Sequence, residues 1–152
     1  MRTLFLWAAL ATASTAFAGP TRALQKAATA ADVAKMVSGL KHKKGFVREL
    51  SARSLARVSP DADAEALLTT CIQSETEFGY VRAACAHTLA MWKVSGADAL
   101  IIEAMDQVDP ESRYWMAAAL SRLNTREARA HIVSLTSDTD LFLAASAREW
   151  SR

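Results

Sequence analysis

Three histidines, two cysteines and a set of recurring arginines are the side chains in this 152-residue chain whose types could do chemistry. His42 sits in the run Lys41-His42-Lys43-Lys44, while His87 and His131 fall in separate segments. A metal site needs several ligands at spacings that bring them to one point. The histidines stand in no such set of His, Cys and acidic residues. Serines and carboxylates are plentiful, yet there is no nucleophile elbow and no glycine-rich phosphate loop. No catalytic, metal or cofactor residue is therefore assigned, and the chain is not expected to be an enzyme.

The arginines form columns. Arg48, Arg82 and Arg113 share one, and their expected role is structural, bridging to acids at neighbouring helix starts such as Glu77, Asp109 and Asp140. Arg53, His87 and Arg148 form a second column. Arg57, Met91 and Arg122 form a third, which Arg152 continues. The last two columns share one helix face, so they are expected to line a surface that meets a partner. Tyr114 is read as the exposed aromatic of that region, and Trp92, Trp115 and Trp150 as packing residues.

Cys71 and Cys85 are the only cysteines. Both fall on inward stripes of consecutive helices. A disulfide between them is one reading, and two buried thiols acting as small apolar packers is the other.

These residues are placed by a repeat. Phe46-Val-Arg-Glu-Leu-Ser-Ala-Arg-Ser-Leu55 returns as Tyr80-Val-Arg-Ala-Ala-Cys-Ala-His-Thr-Leu89, then as the segments 111–120 and 141–150. Val47, Val81, Ser112 and Phe142 align at steps of 34, 31 and 30 residues. Five places on, every copy has alanine: Ala52, Ala86, Ala117 and Ala147. Eight places on come Leu55, Leu89, Leu120 and Trp150. Those offsets lie on one helical stripe. A small residue at each crossing lets a neighbouring helix approach closely. Ala83 lies off that stripe.

A partner helix precedes each copy. Thr29, Ser95 and Asn124 each stand three places before an acid, which suits a helix start, and Ser59-Pro60-Asp61 and Asp109-Pro110 are variants with proline at the first helical position. The pattern predicts first helices over about 29–40, 60–73, 96–107 and 125–136, and second helices over about 46–58, 78–92, 110–123 and 139–150. The fold class is therefore all-α, an α-solenoid of about four helical hairpins.

The first residues are a separate object. Arg2, an apolar run from Leu4 and the ending Ala16-Phe17-Ala18 predict a secretory signal peptide over 1–18. A lead-in over 19–28 and a repeat domain over 29–152 follow. No later apolar run is long enough to span a bilayer. The expected location is the periplasm or the exterior. The net charge of +2 is too near balance to argue for nucleic acid.

The pattern V-R-x-x-A-A-x-A-L, carried best by Val81 to Leu89 and next by Val47 to Leu55, resembles the short HEAT-like repeat of the phycobilisome lyase type. The resemblance covers most of the chain after Ala28, with departures at Ser112 and at Phe142-Leu143. It implies stacked hairpins whose second helices line a concave side. HEAT-like hydroxylases bind iron through His-Glu pairs, whereas here the histidines are followed by Lys43, Thr88 and Ile132. The expected function is an exported scaffold that binds another protein, with an acidic surface, through Arg53, Arg57, His87, Met91, Tyr114, Arg122 and Arg148. Docking through the ends in an envelope assembly, and an enzyme of the lyase type, are the alternatives.

Overall fold

Short polar side chains ahead of apolar stripes decide where the helices begin. The computed structural model describes residues 32–152; the expected signal peptide, the lead-in and the Thr29 cap lie outside the described residues. Eight α-helices make up the described chain, and no strand occurs among the described residues. They are α1 (Val33–Leu40), α2 (Gly45–Leu55), α3 (Ala62–Gln73) and α4 (Gly79–Trp92), then α5 (Ala97–Met105), α6 (Pro110–Leu120), α7 (Arg126–Ser134) and α8 (Leu141–Trp150). A 3₁₀ turn, Leu135–Ser137, extends α7.

Aspartate does most of the capping. The carboxylates of Asp32, Asp61, Asp109 and Asp140 accept from backbone N–H groups two or three places on, which would otherwise lack partners. Pro110 stands at the first position of α6, where its missing N–H costs nothing. Three starts differ from expectation. Pro60 precedes the cap rather than following it, because Asp61 takes that role. Ser95 gives way to Gly96, whose φ of 78° is a conformation open to glycine. Asn124 gives way to Thr125, whose hydroxyl accepts from the Ala128 N–H at 3.1 Å.

Each first helix packs on the second helix that follows it, through α1–α2, α3–α4, α5–α6 and, by way of the 3₁₀ turn, α7–α8. Neighbouring hairpins pack like on like: α1 on α3 on α5 on α7, and α2 on α4 on α6. The aligned alanines Ala52, Ala86, Ala117 and Ala147 are all fully buried. Helix α4 touches α2, α3, α5 and α6, so nearly its whole circumference is covered, and Val81 to Ala86 and Thr88 to Ala90 are buried. A helix enclosed on four sides has room for alanine and cysteine in its middle and little else. Ala83, off the alanine stripe, is buried as well, on the side of α4 that faces a groove between α2 and α6. Leu55, Leu68, Ile72, Leu89, Ile101 and Leu120 fill the spaces between hairpins. Each such side chain contributes roughly 1.5–3 kcal/mol.

The first arginine column braces the stack. Arg48 meets Glu77 through two hydrogen bonds of 2.7 and 2.6 Å and reaches the His42 carbonyl at 2.6 Å. Arg113 pairs with Asp138 at 2.6 Å, not with Asp140, which is occupied in capping α8. Arg82 meets no acid at hydrogen-bond distance. It is only 2% exposed, and it donates to the Ile72 carbonyl at 2.7 Å and to Gln107 at 3.1 Å. Asp109, expected as its partner, is held by the hydroxyl and N–H of Ser112. Burial lowers the pKa of the Arg82 guanidinium, while the hydrogen bonds that Arg48 and Arg113 donate to Glu77 and Asp138 raise theirs.

A disulfide joins Cys71 of α3 to Cys85 of α4, with Cα atoms 6.5 Å apart, and so ties the two helices of the second hairpin. The fourth hairpin is attached differently. Tyr114 of α6 reaches Phe142 and Trp150 of α8, with ring centroids 5.0 and 5.6 Å apart. Phe142 is 67% exposed and its neighbour Leu143 is buried, although Ala147 keeps the buried alanine position of the column.

Candidate binding groove

Helices α2, α4 and α6 lie side by side and run in the same direction. Thr88 of α4 donates to the Ala52 carbonyl of α2 at 2.7 Å, and Trp92 donates to the Val58 carbonyl at 3.0 Å. At the other end, Gly45 of α2 meets Phe78 and Tyr80, and Gly79 of α4 meets Asp109 and Ser112. A methyl group at either glycine would collide with those side chains, so the glycines set how closely the N-terminal ends approach.

The outward faces of the three helices enclose a groove of about 680 Å³. Ala56, Ala83, Ala84, Ala118 and Ala119 line it along with longer side chains. The alanines keep it deep, because nothing projects from them. Around the C-terminal ends of the helices stand Arg53, Arg57, His87, Met91 and Arg122. Around the N-terminal ends stand Glu49, Tyr80, Asp109, Glu111 and Trp115. Both Arg57 and Arg122 are exposed, and neither forms an ion pair with another described residue. Arg53 pairs with Glu49 at 2.9 Å, one helical turn away.

The groove is therefore not the uniformly basic face that the arginine columns suggest. It carries three guanidiniums and three carboxylates, sorted toward opposite ends. His87 does not add to the positive charge at neutral pH. Burial lowers its pKa first, and the nearby Arg122 and Arg53 lower it further. The carboxyl of Asp109 is held below its ordinary range by the Ser112 hydroxyl and N–H.

Of the seven residues expected to face a partner, Arg53, Arg57, His87, Met91 and Arg122 come together in this groove. Tyr114 and Arg148 do not line it. Tyr114 turns toward α8, and Trp115, expected to pack, is 50% exposed and lines the groove instead. One residue along a helix rotates a side chain by about 100°, which exchanges the two roles. Arg148, on α8, donates to the Thr136 carbonyl at 3.0 Å. Sequence reasoning missed Glu49, Tyr80, Glu111 and Trp115. Glu49 and Arg53 are four apart in the sequence, and that spacing was the available signal for a partly neutralised arginine.

Among the described residues, no group of three His, Cys, Asp or Glu side chains could hold a metal ion, and no helix is long and apolar enough to cross a membrane. No protein-family model matches the chain, and no curated protein matches it.

Proposed function

We propose that this protein is an exported α-solenoid of HEAT-like hairpins that binds another protein in the groove across α2, α4 and α6. The observation that carries this reading is the groove itself. Three parallel helices present an alanine-lined trough with Trp115, Met91 and Tyr80 exposed along it and two arginines without ion-pair partners at one end. Exposed aromatic, Met and Arg side chains are the types enriched where proteins bind one another. Stacked hairpins hold such side chains on rigid elements, which lowers the ordering cost of binding. Export is supported by the signal-like segment over 1–18 and by the Cys71–Cys85 bond, since structural disulfides persist in oxidising compartments.

The test is recovery of a partner from the export compartment by the wild-type protein and by Trp115→Ala and Met91→Ala. Both side chains are exposed, so helicity should be unchanged while recovery falls. Full recovery by both variants would remove the groove from consideration.

A second reading has its own observation. Leu141 and Phe142 are 81% and 67% exposed at the start of α8, and Val133 is exposed on α7. An apolar end of this kind suits docking into a larger assembly. Leu141→Ser with Phe142→Ser would abolish recovery under that reading and leave it intact under the first.

A further inference from the structure

The register of the three groove helices fixes which side chains stand level. The Trp92 indole donates to the Val58 carbonyl at 3.0 Å, so Met91 and Arg57, each one residue earlier, stand at the same height. Gly79 at the start of α4 meets Asp109 and Ser112 at the start of α6, which brings Arg122 level with Met91 along parallel helices. Arg57 and Arg122 thus flank Met91 from the two walls of the groove. One helical turn nearer the N-terminal ends, Arg53 of α2 stands level with His87 of α4 and Ala118 of α6. Ala118 presents only a methyl group, so the space above His87 is open, with guanidiniums on both walls around it.

The charge of this end is not cancelled by its surroundings. Arg53 reaches Glu49 through Nε at 2.9 Å, and Glu49 is the single acid that α2 contributes to the groove. Arg57 and Arg122, both exposed, form no ion pair with another described residue. The other acids of the groove, Asp109 and Glu111, stand at its opposite end, with Glu111 about 16 Å along the helix axis from Arg122. Arg57 and Arg122 each lie two residues past the last of their helix. The negative helix end attracts a cation there, yet it carries only about half a unit charge. Burial, Arg122 and Arg53 together lower the pKa of His87, which puts guanidiniums of opposite walls within electrostatic reach of one imidazole.

We propose that this end of the groove receives an acidic segment of the partner protein, whose carboxylates meet Arg57 and Arg122 over Met91 and lie against His87. This rests on the groove reading above and assigns the partner's chemistry at one end of that site. Guanidiniums take carboxylates in a two-pronged geometry, and a neutral imidazole can donate one N–H to the same group. Glu49 and Glu111 repel like charge farther along the groove, which confines the acidic residues to this end.

Fluorescence anisotropy of a labelled hexaglutamate peptide with the purified protein tests the proposal. The peptide should bind at low ionic strength and dissociate as salt rises. Arg57→Glu with Arg122→Glu should weaken binding by about tenfold or more. Lys43→Glu with Arg126→Glu makes the same change in net charge at exposed residues outside the groove, and should alter binding by less than about twofold. Circular dichroism checks that the variants fold. In the wild-type protein, the ring resonances of His87 should move on binding, and those of His131, on α7, should stay. Absence of binding, equal weakening by both double variants, or an unmoved His87 overturns the proposal and leaves groove binding standing. Displacement of the peptide by inorganic phosphate at the same anion concentration also overturns it, by making the ligand a small free anion. Groove binding itself fails by a different result, full recovery of the native partner by Trp115→Ala and Met91→Ala, and the proposal falls with it.

Discussion

Arg48 on α2 and Glu77 ahead of α4 meet fork to fork, with N–O distances of 2.7 and 2.6 Å, both side chains mostly out of solvent. The same Glu77 accepts from the N–H of Phe78, the cap residue just before α4, at 2.8 Å. One carboxylate thus joins the first hairpin to the turn of the second. Arg113 and Asp138 repeat the arrangement between the third and fourth hairpins. A double-mutant cycle on Arg48→Ala and Glu77→Ala should show a coupling of about 1–2 kcal/mol, the range for a charged, two-pronged hydrogen bond near the surface. Additive single effects would mean that the pair contributes nothing to the stack.

The enclosure of α4 makes a sharp prediction about volume. Ala86→Leu should destabilise by about 1–3 kcal/mol, since the junction has no space for three more carbons. Ala99→Leu, on the exposed side of α5, should change stability by no more than about 0.5 kcal/mol. Equal losses in a urea titration would contradict the packing described for α4.

Much of this packing was legible in the chain, and the reasons separate cleanly. The alanine column and the apolar stripes locate eight helices within a few residues, because burial on a 3.6-residue period leaves a direct mark. The caps shift by a residue or more, because Asp61 and Thr125 compete with adjacent polar residues for the same N–H groups, and periodicity does not rank them. The groove is half legible. The columns place Arg53, Arg57, His87, Met91 and Arg122 on one face, since that depends only on helix geometry. They do not place Trp115 against Tyr114, because α8 supplies Phe142 and Trp150 to one side of α6 only. Nor do they show that Arg82 lacks an acid, since its partners are a backbone carbonyl and an amide.

Reduction should loosen the second hairpin. The Cys71–Cys85 bond spans a sequence separation of 14, and closing a loop of about 15 residues restricts the unfolded chain by about 3 kcal/mol. Thiol titration of the denatured, unreduced protein should find no reactive thiol, and added reductant should lower the Tm by several degrees. Two reactive thiols per chain would rule the bond out.

Mild acid should destabilise the protein through its histidines. Burial lowers the pKa of both His87 and His131, with Arg122 and Arg53 adding to the effect at His87. The unfolded chain then binds protons that the native state does not. Stability is complete above the unfolded value of about 6.5 and is lost as pH falls below it toward the lowered native values. The lowered carboxyls of Asp98, Asp109 and Asp138 act in the same direction only at lower pH, below the ordinary aspartate range. The Tm should therefore fall between about pH 7.5 and 5.5, and His87→Gln should reduce that slope. A flat Tm over this interval would contradict the assignment.

The most direct measurement is site-specific photo-crosslinking in the native compartment. A photoreactive residue replaces Ala118, which lines the groove, and in a separate protein it replaces Leu141, which lies outside it at the start of α8. Groove binding predicts one recurrent protein adduct from position 118, lost when Trp115→Ala and Met91→Ala are added, and none from position 141. Adducts confined to position 141, or an adduct at 118 indifferent to Trp115 and Met91, would contradict it.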